Sequence, residues 1–407
     1  MTAPRVGRRA LLAGGGALGA AMLTGTANAR VLPAQMVPLV GAGYRPVDAD
    51  EKGMWAQMDR VEEEIAGSNL LVEDRQVTAY LKELIGRVGG PAAADFRIYL
   101  ARVPDFNAMM FPTGFALVYS GLLLRMRDEA QLAGVVGHEA AHFLRKHQIR
   151  AWRDTKKKTD VYAALSMLGG IAGGAAGANL GNLQQLAQLG AVMSLLKYSR
   201  DMESEADALG IRNIAAAGYD PMAMPQTWRQ LIGELRYSNY YRGQRYERDV
   251  SLFATHPIPE QRLADLSVSA AEVREPGKVY SARRAEFRAA IAGIRPMLLD
   301  DQVKLNDPGG SQYIVETLAQ DGWDGPLRFA EAEIWRLRNR DGDTLRAAQG
   351  YAAAVTYADA PADAWRWHGL MLSKAGRKAE ARVAFERYLA LAPAAPDAPF
   401  VRQMIAD

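Results

Sequence analysis

Residues 138–142 read His138-Glu139-Ala140-Ala141-His142. On a helix, four residues turn the chain by about 400°, so both imidazoles leave one face and can close on a single metal ion. Glu139 lies beside them, where a carboxylate can take the proton from a zinc-bound water whose pKa the metal lowers to roughly 7. The pattern supplies a Lewis acid and a base together, and so points to hydrolysis. It also requires a helix, and the rest of the chain is read outward from that requirement.

Upstream, the motif helix begins near Asp128. Before it, Phe106–Tyr119 contains a Pro112-Thr113-Gly114 turn and the β-prone run Phe115–Tyr119, which together predict a hairpin-like pair of short strands. Phe96–Ala101 alternates like a strand, and Asp48–Ala66 and Arg75–Val88 carry the apolar spacing of helices. Downstream, two histidines leave a catalytic zinc short of one protein ligand. The candidates stand in Asp201-Met202-Glu203-Ser204-Glu205-Ala206-Asp207. Glu203 and Asp207 share a helix face at i and i+4, and Asp201 with Glu205 pair equally well, so spacing leaves both pairs open. A ligand carboxylate with a second acid on its face is what such a site needs, because the second acid can hold a ligand imidazole in the right tautomer. His147 is predicted about 180° around the helix from His138, which gives it no zinc role and suggests a cap or surface histidine.

Composition narrows the setting. The 407 residues are 49% hydrophobic and 23% charged, enough for a real core in two domains plus a leader. Arg5, Arg8 and Arg9 precede an uncharged stretch from Ala10 to Asn28 that ends in Ala27-Asn28-Ala29, the form of a removed signal peptide over residues 1–29. Those arginines account for the whole formal charge of +3, so the mature chain is neutral and no attraction to nucleic acid is expected. There is no cysteine, which excludes disulfides, thiolate ligands and a cysteine nucleophile, and leaves zinc to nitrogen and oxygen. An exported chain without thiols suits an oxidising periplasm.

Two stretches stand apart. Val161–Leu196 holds no charged residue and is glycine-rich in its first half. It reads as a cleft-lining helical hairpin, with membrane contact as the rival, because its glycines, asparagines and glutamines dilute its hydrophobicity. From about Tyr280 the chain looks entirely helical. Trp365, Gly369, Gly376, Ala381, Phe385 and Pro393 fall at the offsets of a 34-residue tetratricopeptide unit, clearest over residues 362–395. An upstream copy keeps Gly342, Ala347 and Tyr351 but has Glu331 where Trp365 stands.

Across roughly Val47–Leu266 the chain resembles the zinc metallopeptidase family that includes HtpX, the CAAX prenyl endopeptidases, the mitochondrial Oma-type proteases and the BepA-type periplasmic protease-chaperones. The resemblance rests on Asn107-Ala108 with the Pro-x-Gly turn, Gly121-Leu122-Leu123, Glu129 leading into Gly137–His142, Ser199-Arg200 with Glu203–Asp207, and Thr255-His256-Pro257-x-Pro259-x-x-Arg262-Leu263. A signal peptide, this peptidase domain and C-terminal tetratricopeptide repeats together are most like the BepA-type members. The resemblance implies His138, His142 and Glu203 as zinc ligands, Glu139 as catalytic base and Asp207 as support behind the ligands. It also implies that His256 can approach the zinc and hold a resting form. By chemistry His256 could instead donate to the oxyanion, or only fix the Pro257–Pro259 turn. Arg262 is most simply a structural ion-pair partner. Pro112-Thr113-Gly114 stands where many relatives have Pro-Gly-Gly, and the repeat array is shorter or more degenerate than in BepA-type proteins.

The expected fold is α+β and mainly helical: a zincin-like metallopeptidase domain with a small β-sheet over residues 30–275, then an all-α tetratricopeptide-like domain over 276–407. The expected activity is zinc-dependent endopeptidase cleavage of misfolded or misassembled envelope proteins in the periplasm, with one Zn2+ per chain. Cobalt or manganese would also suit the donors in vitro. An extended substrate is expected to add to the strand edge near Gly114–Tyr119. The repeat face would take an envelope protein partner, and peripheral membrane contact is allowed for. The alternatives are a chaperone or assembly scaffold with a latent protease site, and a membrane-embedded protease of the HtpX kind, which needs true spanning segments.

Overall fold

The computed structural model describes residues 39–156, 198–238 and 260–406. The leader at 1–29, the uncharged stretch at 161–196 and His256 with its Pro257–Pro259 turn lie outside the described residues. What is described is mainly helical with one small sheet.

Helix α1 (Ala49–Ala66) buries Met54, Met58, Val61 and Ile65, the i, i+4, i+7 spacing of one helix face. In α2 (Arg75–Val88), Asp74 caps the start by accepting from the Val77 N–H, and Val77, Leu81, Leu84, Ile85 and Val88 are buried. Three strands follow: β1 (Arg97–Ala101), β2 (Ala108–Met110) and β3 (Phe115–Tyr119), in the spatial order β1-β3-β2. β2 and β3 form the expected antiparallel pair, with Gly114 at φ 88 in the turn, a backbone position that suits glycine.

The strand edge expected near Gly114–Tyr119 is corrected by this topology. β1 runs parallel to β3 on its other side, Arg97 opposite Phe115 through Ala101 opposite Tyr119, so β3 is the central strand. All five of its residues are buried, which is how a strand covered on both faces should read. Phe115, Leu117 and Tyr119 pack with α1, while Ala116 and Val118 join the core around the motif helix. The outer strand on the hairpin side is β2.

After α3 (Ser120–Arg125) comes the motif helix α4 (Glu129–Leu144), capped by Asp128, which accepts from the Gln131 N–H. Every residue of α4 is buried. Lys146 then adopts φ 55, and α5 (His147–Lys156) starts in a new direction. Helix α6 (Arg200–Ala216), capped by the Ser199 hydroxyl, packs directly on α4. A Cβ added to Gly210 would lie 3.0 Å from the His138 backbone nitrogen, so glycine allows the two backbones this approach.

The chain continues through α7 (Ala223–Tyr237), α8 (Glu260–Val273), α9 (Arg284–Ile291), α10 (Arg295–Lys304), α11 (Pro308–Ala319), α12 (Gly325–Arg338), α13 (Asp343–Ala354), α14 (Ala362–Lys374), α15 (Lys378–Leu391) and α16 (Ala398–Ala406). The core around α4 runs on through Leu299, Ile314 and Leu327 to Ile334. Beyond it, α12 packs on α13 and α14 on α15, with Gly350 against Ala332 and Gly369 under the ring of Phe385. Among the described residues no helix is long and apolar enough to cross a membrane.

Candidate metal centre

α4 and α6 bring three donor groups to one point. The Nε2 atoms of His138 and His142 stand 3.0 Å apart. Glu203 places Oε2 3.6 Å from His138 Nε2 and Oε1 3.5 Å from His142 Nε2. Among the described residues this is the one group of histidine and acidic side chains placed to hold a metal ion, and all three residues are buried. Asp201 is exposed and Glu205 turns elsewhere; of the two pairs that spacing left open, Glu203 with Asp207 is the one brought to the histidines.

The hydrogen bonds behind the histidines test whether this donor set fits a cation. His138 turns Nδ1 to Asp207 Oδ1 at 2.9 Å, a contact that favours the proton on Nδ1. His142 turns Nδ1 to a hydrogen-bonding neighbour as well, His147. Both Nε2 atoms can then present lone pairs, close together and beside a carboxylate. Such a set is repulsive when empty and complementary to a divalent cation; two imidazoles and a carboxylate match zinc chemistry.

Arg262 locks the acidic side of the site. Its Nη1 lies 2.6 Å from Glu203 Oε2, and its Nε and Nη2 each lie 2.8 Å from an oxygen of Asp207. The guanidinium sits 5.6 Å from the centre of the Trp228 ring. Burial would push the Asp207 carboxyl up, but the charge and hydrogen bonds of Arg262, with that of His138, hold it well below the usual carboxylate range. Burial likewise opposes the charge on Arg262, and Asp207 and Glu203 outweigh it, so the pKa is raised.

Glu139 is 5% exposed, and its Oε2 accepts from the Met110 N–H of β2 at 3.0 Å. The pairing of β2 makes this informative. Tyr119 N–H donates to Asn107 O and Phe111 N–H to Phe115 O, so the odd-numbered residues of this strand turn their backbone groups to β3. Ala108 and Met110 turn theirs outward. The Met110 N–H is taken by Glu139 and its carbonyl accepts from Gln148 Nε2 at 2.8 Å, so among the described residues Ala108, itself buried, is the rung of this edge whose outward backbone groups are not taken. A tight apolar pocket adjoins it, formed by Phe106, Val135, Met224, Thr227 and Trp228 beside His138 and Glu139.

The reading of His147 as a cap or surface histidine is corrected. It is fully buried, with Nδ1 2.9 Å from His142 Nδ1 and Nε2 3.2 Å from Glu205 Oε2. The helical period was extended one turn too far: α4 ends at Leu144, and the left-handed Lys146 swings His147 back behind His142. Burial pushes His147 down to about 4, against the opposing pull of Glu205. Tyr198 was also missed; its ring stacks on His142 at 3.9 Å between centroids. Nothing in the spacing marks that tyrosine, since it precedes α6 and meets α4 only in three dimensions.

Residues 72–270 match peptidase family M48. The putative beta-barrel assembly-enhancing protease of Vibrio cholerae serotype O1 is 32% identical over 235 residues, covering 55% of this chain and 46% of that protein. The beta-barrel assembly-enhancing protease of Escherichia coli K12 is 30% identical over 215 residues, 52% of this chain and 42% of that one. The mitochondrial metalloendopeptidase OMA1 of Schizosaccharomyces pombe is 26% identical over 200 residues, 48% and 54%. The chain spans about half the length of the curated relatives it matches.

Proposed function

We propose that this chain, whose residues 72–270 match peptidase family M48, is an exported zinc metalloendopeptidase that cleaves misfolded or misassembled envelope proteins in the periplasm. The observation that carries this reading is the convergence of His138, His142 and Glu203 beside a buried carboxylate, Glu139. Those three residues would hold one zinc ion, which when bound supplies a polarised water and a polarised scissile carbonyl.

Glu139 is the base: it takes the proton of the attacking water and returns it to the leaving amine. Its bond from the Met110 N–H keeps the carboxylate aimed at the site. Asp207 orients His138 while Arg262 holds Asp207 and Glu203 in register. An extended substrate pairs with the Ala108 rung of β2, setting a side chain toward the pocket at Trp228, and backbone pairing of this kind tolerates many sequences. For His256 three readings stand as proposals: a plug of the site at rest, a donor to the oxyanion, or a residue that only fixes the Pro257–Pro259 turn. His256→Ala raises activity in the first case, abolishes most of it in the second and leaves it little changed in the third.

Removal of residues 1–29 as a signal peptide, and a tetratricopeptide-like role for 276–407 in gripping an envelope partner, complete the proposal. The packing of Gly369 under Phe385, two positions of the repeat pattern, supports the latter. The alternative carried from the sequence is a scaffold whose protease is latent. Casein cleavage by the purified mature chain, beside Glu139→Gln and a zinc chelator, tests the enzyme: activity lost in both controls supports it, and cutting that survives both refutes it. Full rescue of an envelope defect by Glu139→Gln would favour the scaffold.

A further inference from the structure

The two histidines are supported differently. His138 meets a carboxylate directly, whereas His142 meets a second imidazole, which in turn meets a carboxylate. We propose that His147 and Glu205 are positioning residues for the metal centre: a hydrogen-bond chain from His142 through His147 to Glu205 fixes His142 with its proton on Nδ1 and its Nε2 lone pair toward the metal. The inference rests on the zinc reading above.

Two Nδ1 atoms 2.9 Å apart admit one proton between them, so one ring donates and the other accepts. If neutral His147 donated from Nδ1, its Nε2 would be a lone pair facing Glu205 Oε2 at 3.2 Å, acceptor against acceptor. Donation from His147 Nδ1 would also leave the His142 proton on Nε2, the atom that faces the other donors of the site. The remaining arrangement satisfies every atom: His142 Nδ1–H donates to His147 Nδ1, and His147 Nε2–H donates to Glu205. Arg150 anchors the far end, its Nη1 3.0 Å and Nη2 3.4 Å from the two oxygens of Glu205.

The chain of bonds is held by features unrelated to metal binding. Lys146, whose left-handed backbone turns His147 inward, bonds to Glu51 at 2.8 Å and to the Tyr44 hydroxyl. Gln148, the next residue, bonds the Met110 carbonyl. One turn therefore sets both the backing of His142 and the outward face of β2. Tyr198, stacked on His142, restricts the ring plane from the other side.

The test is zinc affinity of the purified mature chain, measured by competition with a chromophoric chelator, for wild type, His147→Leu, His147→Asn and Glu205→Ala. Leucine fills the space without an acceptor, while the asparagine carbonyl can accept near the position of Nδ1. His147→Leu is expected to bind zinc about 10–100-fold more weakly, with His147→Asn recovering most of the loss. Glu205→Ala, at a partly exposed side chain, should weaken binding several-fold and covers the case in which the leucine variant does not fold. Wild-type affinity in His147→Leu and Glu205→Ala overturns the proposal, as do equal losses in His147→Leu and His147→Asn, which would make the role one of packing. Absence of zinc binding by the wild type would instead overturn the metal centre itself, and this inference with it.

Discussion

The α4–α6 crossing and the α14–α15 pair use the same packing device for opposite ends. In each, a glycine sits where the helices come closest. A Cβ on Gly210 would reach His138 backbone atoms at 3.0–3.2 Å, and one on Gly369 would reach the Phe385 ring at 2.6 Å. Between α4 and α6, close approach gathers His138, His142, Glu203 and Asp207, all buried. Between α14 and α15 it gathers Leu372, Ala381, Ala384, Phe385 and Tyr388, with no buried charge. The first arrangement spends packing on holding polar groups at fixed distances, and burying charge that way costs stability. The second spends it on removing apolar surface from water, which stabilises. Substitutions should therefore separate the two regions by what they damage: chemistry and metal binding in one, folding alone in the other.

The largest separation is expected from Glu139→Gln. Loss of a general base lowers the rate by roughly 10²–10⁴-fold. Because Glu139 is not among the three converging donors, zinc content should stay at wild-type level, checked by metal analysis beside the cleavage assay. Cleavage at more than a tenth of the wild-type rate would take the base role away from Glu139.

Next in size is Arg262→Met. It leaves Glu203 and Asp207 as neighbouring buried acids without their cation, and breaking a buried pair in this way costs about 3–5 kcal/mol. Thermal melts of the metal-free protein should show the loss, and added zinc should recover part of it by replacing the missing positive charge. A metal-free variant that melts at the wild-type temperature would mean that Arg262 does not hold the two acids together.

Smaller effects are expected from the glycines. Gly369→Ala forces the buried Phe385 ring to move and should cost about 1–3 kcal/mol, with zinc affinity unchanged. Gly210→Ala pushes α6 from α4 and shifts Glu203 relative to His138, so it should weaken zinc binding more than it lowers the melting temperature. A Gly210→Ala protein with normal zinc affinity would show that the crossing distance does not set the site.

How much of this was legible in the sequence depends on whether the deciding neighbour is local. The His138–His142 spacing and the Asp128 start of α4 are properties of one helix, and they read directly. The choice between Glu203 and Glu205 did not, because both faces of α6 are used: Glu203 turns to the histidines and Glu205 to His147. The place of β3 between two strands is a matter of topology, although its run Phe115-Ala116-Leu117-Val118-Tyr119, apolar on both faces, carried the hint. His147 was misplaced because the residue that reverses the chain is a lysine, not the glycine that usually signals a left-handed turn. What holds that lysine there, Glu51 and Tyr44, lies about a hundred residues away.

Acid should divide the regions with the smallest effect. His147 is pushed down to about 4 in the folded chain, against an ordinary value of 6.5. A base with a depressed folded pKa favours the unfolded chain as pH falls, because only the unfolded histidine gains its proton between 6.5 and 4. Linkage gives a loss of about 1 kcal/mol between pH 7 and pH 5.5 for that shift. In the C-terminal pairs, hydrogen bonds from Arg338 pull the Asp343 carboxyl down to about 2. Its contribution is present above its ordinary value of 3.8 and is lost only as pH falls from there toward 2. His368 on α14 is also pushed down by burial, but it is partly exposed, so its share of the loss near pH 6 is smaller. Hydrogen exchange on the metal-free protein should therefore show α4 and α6 losing more protection than α12–α15 between pH 7 and pH 5.5. His147→Asn should flatten that difference, since asparagine has no proton to gain; a difference that persists in the variant would assign the acid sensitivity of the site to another group.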